Sequence, residues 1–353
     1  MRSVKGKFCY FLSVLLCVGL LSGCTGNERL RSSSSSAIPS GQAASGEPPQ
    51  LVQADVGAPD SQKEMEEAPS VVYMTADISP EGLMEIYEAL GADLPDGNIA
   101  VKLSTGETGS NYLRPELIAD LVQAVGGTIV ECNTAYGGAR ANTAYHRQLA
   151  EDHGYTAIAD VDIMDADGSM TLPVAGGSHL TENYVGSHFA DYDYFVVLSH
   201  FKGHTMAGFG GAIKNISIGI ASSEGKAHIH SGGIGGSMWG GDQDAFLESM
   251  AEAAKSVTDA MDGDMLYINV MNRLSVDCDC DGNPAEPDMH DIGILASFDP
   301  VAVDQACIDQ VYHAEDGASL VQRIESRNGL LTLEHAQEIG LGSRDYELVR
   351  IDA

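Results

Sequence analysis

Beyond about residue 70 the chain alternates short apolar runs with stretches whose apolar residues recur at helical spacing. Residues 71–74, 99–103, 128–131, 194–198, 266–270 and 292–296 read as strands, and 347–351 closes the series. Residues 160–164 and 170–174 read as two more strands, joined by the turn Asp165-Ala166-Asp167-Gly168. Helices are predicted over 80–90, 115–125, 141–153, 243–261, 300–311 and 333–339. Their ends carry the expected signals: Gly91, Gly126 and Gly154 as stops, Pro115 in a first turn, and Asp242 and Asp299 as caps. In the second helix Leu117, Ile118, Leu121, Val122 and Val125 mark one buried face. Strands alternating with helices predict an α/β fold built on a mainly parallel, doubly wound sheet over 71–353. Whether that region divides into two lobes stays open, since no second linker interrupts it.

The pattern before residue 70 is of another kind. Arg2, Lys5 and Lys7 precede an apolar stretch from Phe8 to Leu20, too short for a comfortable membrane span. Leu21-Ser22-Gly23-Cys24 follows, similar to the lipobox of bacterial lipoproteins. Residues 1–23 are therefore expected to be a lipoprotein signal peptide, with cleavage before Cys24 and lipid on its sulfur. Residues 24–70 lack hydrophobic periodicity, hold the serine run Ser32 to Ser36 and several prolines, and read as a disordered tether. The expected location is outside the cytoplasm, anchored to the bacterial cell membrane.

Composition narrows the partners. Nineteen Lys and Arg stand against fifty-one Asp and Glu, a formal charge of −32. Such a chain has nothing with which to neutralise nucleic-acid phosphates, so no nucleic-acid partner is expected. With Cys9 and Cys17 in the leader and Cys24 lipidated, Cys132, Cys278, Cys280 and Cys307 remain, too few for a disulfide framework, with one or two bridges left open and no pairing given by the sequence. Cys132 and Cys307 are expected as core thiols. Asp277-Cys278-Asp279-Cys280-Asp281 mixes soft and hard ligands but lacks the Cys-x-x-Cys spacing, and is expected to be an acidic turn with incidental thiols.

The chemistry concentrates between Ser199 and Ser231. Four of the eleven histidines fall there, His200, His204, His228 and His230, with Lys202, Lys214 and Lys226. An apolar strand leads in, and Gly203, Gly208, Gly210 and Gly211 turn the chain towards a helix, the arrangement that builds ligand sites in open α/β sheets. A lysine at such a helix start can hold an anion or bond a cofactor carbonyl, and a neutral imidazole can ligate metal. His228 and His230 would share a face only on a strand. The glycine-rich run after Ser231 reads either as a lid over a site or as a disordered loop. No nucleophile elbow, phosphate-binding loop, His-Glu-x-x-His helix or dinucleotide fingerprint is present.

Ser199-His200-Phe201-Lys202-Gly203-His204, the run from Gly208 to Asn215 and Gly219-Ile220-Ala221-Ser222 resemble the domain of unknown function family numbered 362. Asn111-Tyr112-Leu113-Arg114-Pro115 and the run from Asp299 to Asp304 are similar to its recurring motifs. Many members carry a ferredoxin-type insert of four close cysteines; this chain has none, so no iron–sulfur cluster is expected. More distantly, His204, Ala207 to Gly211, Lys214, Gly219 to Ala221 and His230 resemble the nickel-pincer lactate racemases. That resemblance implies Lys214 as the cofactor anchor beside Gly210 and Gly211, His230 as a metal ligand and His204 as an acid/base. It further implies Asn111 and Arg114 near cofactor or substrate anions, with His146 as the counterpart of a second acid/base. The expectation is a metal- or cofactor-assisted enzyme, of isomerase or redox type, acting on a small anionic metabolite. The alternative is a non-catalytic lipoprotein that captures a small ligand or metal.

Overall fold

The computed structural model describes residues 69–352, which fall within one compact unit; the expected leader, Cys24 and nearly all of the tether lie outside the described residues. In chain order the strands are β1 (Ser70–Thr75), β2 (Ile99–Lys102), β3 (Thr128–Glu131), β4 (Val161–Ile163), β5 (Ser169–Pro173), β6 (Glu182–Gly186), β7 (Tyr194–His200), β8 (Lys202–His204), β9 (Gly208–Gly210), β10 (Met265–Met271), β11 (Gly293–Ser297) and β12 (Tyr346–Arg350). The helices are α1 (Pro80–Leu90), α2 (Pro115–Ala124), α3 (Thr143–Asp152), α4 (Ala212–Ser217), α5 (Ser223–His230), α6 (Gln243–Ala260), α7 (Pro300–His313), α8 (Ala318–Ser326) and α9 (Leu331–Glu338). Among these described helices none is long and apolar enough to cross a membrane.

Eight strands form one sheet in the order β12-β1-β11-β10-β7-β2-β3-β4. Only β11 runs antiparallel to its neighbours, β1 and β10; every other adjacent pair is parallel. Alternation along the strands sends successive side chains to opposite faces, and both faces are dry. Ala100, Val130, Phe195, Val197 and Tyr267 face one core, into which Ile213 and Ile216 of α4, Val257 of α6 and Val303 of α7 pack. Val101, Ile129, Val196, Leu198 and Ile268 face the other, against Leu83 and Ile86 of α1 and Ile118 and Leu121 of α2. This is the expected mainly parallel sheet wound on both sides.

Several details depart from the sequence reading. β4 and β5 are not a hairpin: β4 is the edge of the large sheet, whereas β5 pairs antiparallel with β6 in a separate two-stranded ribbon. The Asp165–Gly168 turn therefore separates two sheets. His228 and His230 lie on α5, not on a strand, so they point to different sides of a helix. The segments β6, β8 and β9 are too short or too polar to have announced themselves; α5 and α8 were likewise not expected, although Leu320, Val321 and Ile324 stand at helical spacing in α8.

Two features position the site. First, β2 leads outward to β3 while β7 leads the other way to β10, so the strand order reverses between β2 and β7. At such a reversal the loops leave in opposite directions and open a crevice beyond the strand ends. Second, Asp304 on α7 is buried under α4 and accepts hydrogen bonds from the Ala212 and Ile213 amides, at 2.7 and 3.0 Å, and from Asn269 Nδ2 at 2.7 Å. Its carboxyl is pushed up to about 6 by burial, against the pull of those donors. Gly211 is required here: a Cβ on it would stand 2.8 Å from Asp304 Cγ.

Candidate functional site

A cavity of about 480 Å³ lies beyond the ends of β2, β3 and β7, at the reversal. Asn215 on α4 fastens its floor. Its Nδ2 donates to the Lys102 and Leu198 carbonyls, at 3.1 and 3.2 Å, and its Oδ1 accepts from Lys102 Nζ at 2.8 Å. Gly219 leaves room for that amine, since a Cβ there would stand 2.5 Å from Lys102 Nζ. The Gly219-Ile220-Ala221 motif thus has a packing reason.

The walls are cationic in a chain of net charge −32. Five lysines occur among the described residues, and four of them, Lys102, Lys202, Lys214 and Lys226, line this cavity together with Arg140; the fifth is Lys255. Lys202 is paired with Asp279 at 2.8 Å, and Lys226 donates to the Ala221 carbonyl at 2.6 Å. The Lys214 amine makes no hydrogen bond or ion pair to any described residue, although its carbonyl accepts from the Ile218 amide at 3.0 Å. Burial, then the positive charge of Lys202, pushes its amine down to about 7. Lys102 is lowered to about 8 by burial, with Glu131 opposing.

One wall is a closed polar network. Arg140 Nη1 and Nε donate to Glu131 and Glu107, each at 2.9 Å, and Nη2 donates to the Tyr136 hydroxyl at 2.7 Å. Thr105 donates its amide to the second Glu131 oxygen at 2.9 Å, and His146 Nε2 sits 3.0 Å from the same oxygen. Burial alone would raise the Glu131 carboxyl, but Arg140, then His146 and Lys102, hold it well below the usual range. His146 is fully buried behind Glu131 and does not line the cavity, which corrects its expected role as a second acid/base. It orients Glu131.

The other two histidines present opposite chemistry. His204 Nδ1 accepts from the Met206 and Ala207 amides, at 3.1 and 2.9 Å. The neutral ring must therefore carry its proton on Nε2, so His204 offers the cavity an N–H donor. Burial, then the charges of Lys214 and His230, hold its pKa well below the ordinary value. His230 is the reverse case. Its Nδ1 donates to the Lys226 carbonyl at 2.7 Å, one turn back on α5, which leaves Nε2 as a bare lone pair with no partner among the described residues. Burial lowers its pKa to about 4, so that lone pair persists near neutrality. Phe246 stacks on the ring at 4.5 Å and fixes its plane. His228, on another side of α5, packs against Tyr184 instead.

Gly210 and Gly211 line the cavity as expected; Asn111 and Arg114 do not. Arg114 is exposed with its guanidinium 3.9 Å over the Tyr112 ring, and Arg273 ties the Asn111 and Tyr112 carbonyls to a different loop. Both are corrected: the Asn-Tyr-Leu-Arg-Pro motif shapes a loop rather than a pocket wall. Cys278 and Cys280 are joined as a disulfide at the cavity wall, the open alternative to the expected incidental thiols. Cys132 and Cys307 are buried and free. The loop after Ser231 brings Met238 and the exposed Trp239 to the cavity rim. Sequence reasoning passed over Lys102, Glu131 and Arg140, and it gave His200, Lys202, Lys226 and Asp279 no role of their own in the site. Lys102, a lysine inside an apolar strand, was a visible signal.

The model of the Domain of unknown function (DUF362) family matches residues 99–309, a span that holds every lining residue named above. The chain belongs to this family. None of the curated proteins matches it. Among solved structures, the DUF362 chain is similar to the lactate racemase apoprotein from Thermoanaerobacterium thermosaccharolyticum, at 13% identity and a TM-score of 0.40, covering 69% of this chain and 57% of that one. It is also similar to a structural-genomics protein from Thermotoga maritima, at 12% identity and a TM-score of 0.36, covering 73% of this chain and 58% of that one. The DUF362 chain thus spans under three fifths of either protein.

Proposed function

We propose that this protein is an enzyme that binds a small anionic metabolite in the cationic cavity and acts on it with a metal or cofactor held by Lys214 and His230. The observation that supports this reading is the pairing of two reactive, unpartnered groups in one cavity: an amine lowered to about 7 and an imidazole lone pair. Structural lysines and histidines are normally satisfied; here the neighbouring amines of Lys102, Lys202 and Lys226 are. The donor set fits such a group. Lys214 can form a covalent bond through its free amine, and His230 has the backbone-oriented ring common to metal-binding histidines. A bound metal would supply Lewis acidity beside the substrate. His204 would donate its Nε2–H to a substrate oxygen, and the remaining lysines would hold the substrate's charge. Proton or redox exchange at a hydroxy acid suits this arrangement.

On the sequence of residues 1–24 the protein is further proposed to be exported and held at the bacterial membrane by lipid on Cys24. The test is metal analysis and intact mass of the natively expressed protein. Stoichiometric metal lost on His230→Ala, or an added mass mapped to Lys214, is expected. A metal-free, unmodified protein that still binds small carboxylates by calorimetry would replace the enzyme with a binding lipoprotein.

A further inference from the structure

The disulfide between Cys278 and Cys280 spans a single residue, Asp279, with the two Cα atoms 5.2 Å apart. A bridge that closes so short a loop removes little entropy from the unfolded chain and ties no two elements together, so stability is a poor reason for it. Its surroundings are those of a reactive site. Both sulfurs belong to the cavity wall, yet Cys278 is 4% exposed and buried while Cys280 is more open. Cys280 Sγ lies 3.9 Å from His204 Nε2, the ring nitrogen that carries the proton. The loop itself is fixed. Asp279 is gripped by His200 at 3.0 Å and Lys202 at 2.8 Å, its carbonyl accepts from the Glu107 amide at 2.8 Å, and Arg323 holds the Val276 carbonyl at 2.6 Å.

We propose that Cys278 and Cys280 form an exchange-active dithiol–disulfide pair whose partners are small thiols and disulfides carrying carboxylate or sulfonate groups. In the oxidising direction the Cys280 thiolate, beside the His204 N–H, attacks an external disulfide. One external thiolate leaves and a mixed disulfide forms on Cys280. The Cys278 thiolate then attacks Cys280 Sγ, closing the internal bridge and expelling the second external thiolate. Two protein thiols and one external disulfide become one protein disulfide and two external thiols, and the two thiol protons end on the products. Reduction by external thiols is the reverse. The preference for anions rests on the cationic cavity proposed above; the exchange chemistry does not. The same three side chains lie within 4.8 Å of one another and would suit a soft metal by residue type. His204 argues otherwise, since the nitrogen facing the sulfurs holds a proton and the other already accepts two amides.

The test uses the full chain with two matched probes, anionic 2-mercaptoethanesulfonate and neutral 2-mercaptoethanol. The redox state of Cys278 and Cys280 is read by alkylation under native conditions and peptide mapping. Reduction of the pair by both probes is expected, about tenfold faster with the sulfonate after correction for thiolate fraction. In Cys278→Ser, the disulfide of either probe should leave a stable adduct on Cys280; in Cys280→Ser, Cys278 should stay unmodified over the same time. A pair that resists reduction by excess thiol in the folded protein would overturn the exchange proposal and leave the anion cavity standing. Equal rates with the two probes would overturn the anionic substrate class alone. Zinc retained stoichiometrically by the reduced protein and lost in both cysteine variants would replace exchange with metal binding.

Discussion

Raising the pH through neutrality should convert the Lys214 ammonium to a free amine some three pH units before an ordinary lysine follows. Its amine is pushed down to about 7 from 10.5, by burial first and by the charge of Lys202 second. At pH 7.5 such a group is about three-quarters neutral, whereas a lysine at its ordinary value is about one part in a thousand neutral. Lower basicity also means lower nucleophilicity. Taking a Brønsted coefficient of about 0.4 to 0.5, the range thiols follow, the several-hundred-fold gain in free amine falls to roughly 15- to 30-fold in rate. Limited acylation with acetic anhydride, followed by peptide mass spectrometry across pH 5 to 10, would give the rate at Lys214 with its own midpoint. Lys202→Met removes the like charge that lowers it most and should move that midpoint upward. A Lys214 midpoint above about 9.5, or one unmoved by Lys202→Met, would refute the claim that burial and Lys202 set its reactivity.

Three further outcomes are expected. Arg140→Met leaves Glu131 buried without its strongest partner, and urea denaturation should show a loss of about 3 to 5 kcal/mol. Gly211→Ala drives a methyl into the Asp304 carboxylate, and a loss of about 1 to 3 kcal/mol is expected in the same assay. The Asp304 carboxyl is raised from 3.8 to about 6, so its contribution to stability is full below 3.8 and is lost as pH rises through 6. That amounts to about 3 kcal/mol, and Asp304→Asn should flatten the fall in unfolding free energy between pH 4 and 6. Asp279 and Glu131, both held below their ordinary values, act in the opposite sense and at lower pH, so the windows separate.

Much of the fold was legible because its signals are local. Pro80 to Leu90 and Thr128 to Glu131 were read to the residue, since a cap, a glycine stop or a dry β-branched run acts over a few neighbours. The errors fell where pairing partners are remote. Nothing local tells residues 161–163 and 169–173 that they belong to different sheets, because that depends on β3 and β6. His230 was found by its order after His204 and Lys214, but its helix was missed. That helix decides the chemistry, for it places the Lys226 carbonyl one turn below Nδ1 and so frees Nε2.

The α/β class, the eight strands of the large sheet, six of the helices and the crowding of histidine and lysine between Ser199 and Ser231 are thus written in the local pattern. Periodicity and turn chemistry suffice for those. Which of these groups meet is set by long-range packing. It drew Lys102, Glu131 and Asp279 to the same cavity from distant segments, put His146, Asn111 and Arg114 outside it, and left the Lys214 amine without a partner. It also set the two histidines to opposite tasks, donor at His204 and lone pair at His230, through the backbone groups that face their Nδ1 atoms. Those are contacts across the reversal point of a sheet, and no local pattern encodes them.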